Sequence, residues 1–300
     1  MMWQELLQQA QHGNYKSLAR CISLIENETE GYEHILLSLS DYNINNIIGI
    51  TGPPGAGKST LADALIRELI NNNQKVAVLC IDPSSPFNLG ALLGDRIRMS
   101  EWYNHPGVFI RSLATRGSLG GLHPKIVEIT ELLKSAPFDY IIIETVGVGQ
   151  SEIEIAGLAD TTVVVMVPEA GDEVQTMKAG LMEIADVFVV NKSDRPDADS
   201  FVKNLRTMLA PAFHTHPIEI PVLKTVAHQR EGIKELWQAI HNHLQQQHGS
   251  GHKAWLLSEK VYQIIQKRRM KNVDKNMIFK KITEELNHNH FNLYRFALDW

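Results

Sequence analysis

One short stretch of this 300-residue chain constrains its fold more than any other. An apolar run at residues 47–51 leads directly into Gly52-Pro53-Pro54-Gly55-Ala56-Gly57-Lys58-Ser59-Thr60. Every fixed position of the pattern G-x-x-x-x-G-K-[ST] is met. The pattern demands a strand, a tight turn and a helix, in that order. Its glycines let the backbone turn its N–H groups inward, and the helix that follows adds the positive end of its dipole. The result is a cradle for phosphate. Lys58 is expected to reach the β- and γ-phosphates and Ser59 to ligate Mg²⁺. The two prolines stiffen the loop without selecting a base.

The rest of the chain repeats this alternation. Apolar runs at 76–81, 108–111, 140–144, 162–167, 187–191 and 220–223 read as strands. Helical patterns at 58–70, 126–133, 177–183, 201–209 and 232–244 fall between them. Short continuous apolar strands separated by helices predict a mostly parallel sheet covered on both faces. The expected fold is therefore an α/β, three-layer αβα P-loop NTPase domain over residues 43–245. Residues 1–42 read as a helical extension: Leu6, Leu7 and Ala10 share one face, and Leu18, Cys21, Ile22 and Ile25 another. It carries no chemistry of its own and reads as a packing appendage. A Gln/His/Gly/Ser stretch at 245–251 leads into a C-terminal helical arm over 246–300, with an apolar stripe at Trp255, Leu256, Val261, Ile264 and Ile265. Lys267-Arg268-Arg269 within it reads as a solvated helix face.

Composition excludes several classes. The net charge of −5 argues against bulk electrostatic binding to nucleic acid. Two cysteines, Cys21 and Cys80, form no C-x-x-C pair, which argues against a disulfide scaffold or a structural zinc site. The start lacks a basic region followed by an apolar run, and no apolar run is long enough for a bilayer. The expectation is a soluble cytoplasmic protein that engages neither membrane nor nucleic acid.

Asn191-Lys192-Ser193-Asp194 ends the strand at 187–191. An N-K-x-D tetrapeptide at a late strand end of such a domain points to guanine. Asp194 accepts from the ring N–H and the exocyclic amine, a donor pair that adenine lacks, and a mismatched base leaves the carboxylate poorly paired. Asn191 is expected to join the phosphate and base loops, and the Lys192 stem to pack along the base. The predicted ligands are thus GTP and GDP with Mg²⁺. Glu144, ending the strand at 140–144, and Asp82, just after the strand at 76–81, lie at the carboxyl edge of the sheet, where such folds bind ligands. Asp95 follows in the next connection. Three carboxylates plus Ser59 exceed what one Mg²⁺ takes directly, so some act through water or in one nucleotide state. Gly147 could offer its N–H to the γ-phosphate. Glycine-dense stretches at 116–121, 147–150 and 170–173 suit moving segments. Lys178, after the last of these, is either a helix-surface lysine or a charge that arrives on closure.

The motifs together resemble the MeaB/ArgK family of P-loop GTPases, whose animal members are linked to methylmalonic aciduria. The likeness rests on TGPPGAGKST at 51–60, IDPSSPF at 81–87, LGDRIRM at 93–99, FIRSLATRGSLGGL at 109–122, IETVGVGQSE at 143–152, GDEVQTMKAG at 171–180 and NKSD at 191–194. It implies a GTPase chaperone for adenosylcobalamin-dependent methylmalonyl-CoA mutase, which gates cofactor loading and protects the mutase. It also implies a homodimer with a C-terminal dimerisation arm. Asp82, Asp95 and Glu144 match the family's acidic metal positions, and Lys178 a lysine of a switch segment that the partner brings toward the nucleotide. The last guanine loop departs from the family's Ser-Ala: Thr225-Val226 stands there, which bears on affinity. Two other functions compete. A metallochaperone GTPase usually shows Cys-x-Cys-Cys or a His-rich run, and neither is here. A nucleotide-binding scaffold would bind without turnover.

Overall fold

The computed structural model describes residues 2–39, 46–83, 99–116, 122–147, 154–170, 184–213, 220–246, 258, 261–266, 268–287 and 291–298. The chain divides into two compact units, Met1–Ser250 and Gly251–Trp300.

Seven strands form the sheet of the first unit: β1 (Asn46–Thr51), β2 (Val76–Asp82), β3 (Val108–Ala114), β4 (Tyr140–Glu144), β5 (Thr161–Met166), β6 (Val187–Val190) and β7 (Val222–Lys224). Their spatial order is β3-β2-β4-β1-β5-β6-β7, and every pairing is parallel. Valine and isoleucine dominate these strands because branched side chains suit a pleated surface buried on both sides. The α/β three-layer architecture expected from the sequence is the one observed.

Strand β1 is central. Its neighbours β4 and β5 lead outward to opposite halves of the sheet, so its carboxyl end marks a topological switch point. Alternation along β1 sends its side chains to two cores. Ile48 and Ile50 pack with helices α4 (Lys58–Asn71) and α7 (Ile233–Gln246). Ile47 faces a second core with the N-terminal helices α1 (Met2–Gln11) and α2 (Tyr15–Glu26) and with α5 (Ile126–Lys134). Leu18, Cys21, Ile22 and Ile25 of α2 are all fully buried there. Each such aliphatic side chain contributes roughly 1.5–3 kcal/mol of burial, so the N-terminal helices are part of the domain's core. A short α3 (Tyr32–Leu37) follows, and α6 (Ala198–Phe213) covers β6 and β7 in a third cluster.

Two strands differ from the sequence reading by more than one residue at an end. Strand β3 continues three residues past the apolar run at 108–111, because Ser112, Leu113 and Ala114 keep pairing with Cys80, Ile81 and Asp82. Strand β7 starts later than residue 220. Pro221 has no N–H to give a ladder and serves only as acceptor, taking the Phe188 N–H at 2.9 Å. The helix expected at 177–183 lies outside the described residues. In the second unit, α8 (Lys275–Leu286) is capped by Asp274, whose side chain accepts from the Asn276 N–H, and α9 (Leu293–Leu298) follows. Among the described residues, no helix is long and apolar enough to cross a membrane.

Candidate functional site

The loop between β1 and α4 turns on glycines. Gly57 adopts φ 90°, and a Cβ there would lie 2.4 Å from the Asn191 Nδ2. A side chain at this position would strain the backbone and break the approach of the two loops. Gly57 is also the N-cap of α4, and it supplies no side-chain cap. The first turn of α4 carries no acidic residue either. Its N-terminal amides thus keep the positive potential that favours phosphate.

Lys58 is buried, and its Nζ donates to the carbonyls of Gly52 at 2.9 Å and Pro53 at 3.1 Å. The ammonium is therefore held over the loop rather than out in solvent. Gly147 lies against it: a Cβ on Gly147 would fall 2.3 Å from the Lys58 Nζ and 2.4 Å from the Gly52 carbonyl oxygen. Ser59, also buried, donates through Oγ to Glu144 Oε1 at 2.6 Å. The register explains this meeting, since Ile50 of β1 and Cys80 of β2 both pair with Glu144. Asp82 ends β2 on the same edge, and both carboxylates are 4% exposed. Ser59 and Glu144 meet as oxygen donors and Asp82 ends the neighbouring strand, and oxygen donors of this kind suit a hard cation such as Mg²⁺. Asp95 and Lys178 lie outside the described residues.

The buried hydroxyls of Thr51 and Thr145 meet at 2.9 Å and tie the ends of β1 and β4 together. A second tie lies on α4. The Trp102 Nε1 donates to Asp63 Oδ1 at 2.7 Å, and burial raises the Asp63 carboxyl above its usual range despite that bond. This fastens the 3-10 turn Ser100–Trp102 to the helix that carries Lys58 and Ser59.

The other half of the candidate site is built on Asn191, which is 2% exposed. Its Nδ2 donates to the Ala56 carbonyl at 2.9 Å. Its Oδ1 accepts from the Thr225 hydroxyl and from the Ala227 N–H, both at 3.1 Å. One side chain thus joins the phosphate loop to both base loops. Lys192, at φ 56°, donates through Nζ to the Gly55 carbonyl at 2.7 Å. Asp194 is exposed beside them. The Ser193 N–H bonds to the Thr225 carbonyl at 3.1 Å. The Val226 N–H is taken by the Glu231 carbonyl at 3.1 Å. The sequence reading stopped at Val226 and missed Ala227, whose backbone amide belongs to the Asn191 network; no side-chain pattern encodes it. Arg195 pairs with Glu169 and holds that carboxyl below its usual range. Glu169 lies in the turn Pro168–Ala170, just after β5.

A glycine turn before α4, a buried lysine held over it, a hydroxyl on a strand-end carboxylate and the tetrapeptide Asn191–Asp194, held to the turn through Asn191 and Lys192, meet at one edge of the sheet. Residues 18–285 match the family model described as "Methylmalonyl Co-A mutase-associated GTPase MeaB". The chain belongs to the MeaB family of GTPases. A relative from Pyrococcus abyssi is 50% identical over 246 residues, covering 81% of this chain and 76% of its own. The GTPase ArgK of Escherichia coli is 37% identical over 246 residues, covering 79% of this chain and 74% of ArgK. Among solved structures, one described as a LAO/AO transport system kinase is 27% identical with a TM-score of 0.67, covering 99% of this chain and 95% of that one. MeaB membership extends past the P-loop domain into both helical ends, since the match begins within α2 and ends within α8.

Proposed function

We propose that this MeaB-family protein hydrolyses GTP to GDP and phosphate in the presence of Mg²⁺ and uses that cycle as a chaperone for adenosylcobalamin-dependent methylmalonyl-CoA mutase, gating cofactor loading and protecting the mutase. The observation that supports the GTPase part is the Asn191 bridge, which ties the loop at 191–194 and the turn at 225–227 to the loop at 52–57. Family membership supports the mutase as partner.

In this reading residues 52–60 bind the phosphates, with Lys58 placed to balance their charge. Ser59, Glu144, Asp82 and Asp95 would hold Mg²⁺, which when bound neutralises phosphate charge during transfer. Asn191, Lys192, Asp194, Thr225 and Val226 form the base site. Gly147, which packs against Lys58, is read as offering its N–H to the γ-phosphate. Neither the loop nor the two strand-end carboxylates supply an obvious general base, so the rate depends on positioning and charge. Lys178 is read as the charge that the partner brings into place. The C-terminal arm is read as a dimerisation element, a role suited to α8 with its exposed Met277, Phe279 and Leu286.

The deciding experiment measures turnover at saturating GTP with increasing methylmalonyl-CoA mutase. Slow basal hydrolysis and clear stimulation are expected. Arginine fingers supply about 10³- to 10⁵-fold, and a lysine, lacking the bidentate fork, less. Lys178→Ala is expected to keep nucleotide affinity and basal rate but lose most of the stimulation. Absence of stimulation of the wild type by a cognate mutase rejects the chaperone reading. Binding without turnover in any condition leaves a scaffold.

A further inference from the structure

The N-terminal helices carry a group that reaches the end of β3, the strand paired with the one that ends in Asp82. Glu26 closes α2, and its side chain is 13% exposed. Arg111, from the middle of β3, donates to Oε2 at 2.8 Å. Arg116, two residues past the end of β3, donates to Oε1 at 3.0 Å, to the Glu26 carbonyl at 2.9 Å and to Asn27 Oδ1 at 3.1 Å. His123 is also near, with Nε2 3.9 Å from Oε1. Its Nδ1 accepts the Lys125 N–H at 3.0 Å, which leaves the ring proton on Nε2, facing the carboxylate. Residues 116 and 123 thus converge on one carboxylate from an extension that the sequence presents as packing alone.

Arg116 needs such a hold. Its φ of 48° lies in the left-handed region, which a non-glycine residue keeps only when its surroundings fix it. The charge-assisted bonds to Glu26 and the bond to Asn27 provide that fixation. The residue before it, Thr115, donates its N–H to the Asp82 carbonyl at 3.0 Å, one step beyond the Asp82–Ala114 pairing. A continuous path therefore runs from Glu26 through Arg116 and Thr115 to the strand end that presents Asp82.

We infer that Glu26 is a positioning residue: through Arg116 and Thr115 it fixes the end of β2 so that the Asp82 carboxylate meets the divalent cation of the nucleotide site. The inference rests on the reading of Asp82 as part of the metal shell. It gives the N-terminal helices a part in metal affinity as well as in packing. Metal sites are sensitive to the groups that orient their ligands.

The test uses Mn²⁺ as probe, titrated into the full-length chain with GDP bound and followed by electron paramagnetic resonance. Glu26→Gln, Arg116→Gln and the double variant are compared with wild type and with Asp82→Asn. Each single variant is expected to weaken Mn²⁺ binding by about 2- to 30-fold, the range of coupling carried through a connected network. The double variant is expected to be no weaker than the weaker single, since both act along one path. GDP affinity in the presence of a chelator is expected to stay at the wild-type value. Arg116→Gln leaves Glu26 paired with Arg111, so it decides the matter if Glu26→Gln fails to fold. Lower thermal stability with Mn²⁺ affinity at the wild-type value overturns the inference and leaves a folding tie, as do additive effects in the double variant. If Asp82→Asn also leaves Mn²⁺ binding unchanged, the metal reading of Asp82 falls, and the inference with it.

Discussion

Replacing Asn191 by alanine tests the idea that guanine and phosphate recognition are one mechanical unit. The substitution removes three hydrogen bonds at once: Nδ2 to the Ala56 carbonyl, and Oδ1 from the Thr225 hydroxyl and the Ala227 amide. All three are buried. A typical intramolecular hydrogen bond contributes about 1 kcal/mol net, so the loss is about 3 kcal/mol, and more where a partner is left without water. For a unit of this size 1 kcal/mol corresponds to roughly 2–4 °C, which predicts a fall in Tm of about 6–12 °C. Asn191→Asp separates the components. It keeps the acceptor for Thr225 and Ala227 but turns an oxygen toward the Ala56 carbonyl, where a donor now stands. The base loops are then expected to hold together while the phosphate loop comes loose.

The assay is scanning calorimetry together with equilibrium binding of GDP, GTP and ATP. Both variants are expected to lose GDP and GTP affinity without gaining any for ATP. The alanine variant is expected to lose more stability than the aspartate variant. A thermally weakened Asn191→Ala protein that still bound GTP with wild-type affinity would refute the reasoning. The bridge would then be a fold tie and the two loops independent.

Other substitutions test other parts of the site. Gly147→Ala introduces a Cβ 2.3 Å from the Lys58 Nζ at a φ of 82°, so hydrolysis is expected to collapse while the fold persists; wild-type turnover would contradict the placement of Gly147. Lys58→Ala removes the cation over the loop and is expected to abolish turnover and weaken triphosphate binding more than it lowers Tm, as steady-state kinetics and calorimetry on the same sample would establish. Asp194→Asn is expected to weaken GTP and favour xanthosine triphosphate, because the amide can donate to the carbonyl of xanthine; equal competition by ATP and GTP in the wild type would reject the guanine assignment.

The parts of the site that were legible in the sequence are those whose chemistry needs particular residues at close spacing. Residues 47–60 spell a strand, a glycine turn and the start of a helix because only that order aims backbone amides at phosphate. Asn191 and Asp194 were readable because a late strand end in such a sheet faces the same crevice. Glu144 was found by its position after three isoleucines, and the register with β1 and β2 explains its bond to Ser59. The boundary of β3 was harder. Arg111 and Ser112 interrupt the apolar run, so periodicity ended the strand there, while the ladder with β2 carries on to Ala114.

What the sequence hides has a common form. The Asn191–Ala56 bond joins residues 135 positions apart, and the Arg116–Glu26 pair joins residues 90 apart. Neither distance leaves a local trace. A glutamate at the end of an amphipathic helix reads as a solvated charge, since most such residues are exposed. Only the packing of α2 against the sheet, driven by Leu18, Cys21, Ile22 and Ile25, brings Glu26 beside β3 and makes its carboxylate the partner of two arginines. The apolar face of α2 was readable, but its consequence for a polar residue on the same helix was not. Local motifs therefore point to the residues proposed to meet the nucleotide. The long-range ties that hold them run from loop to loop, as at Asn191, and through an N-terminal helix that has no chemistry of its own, as at Glu26.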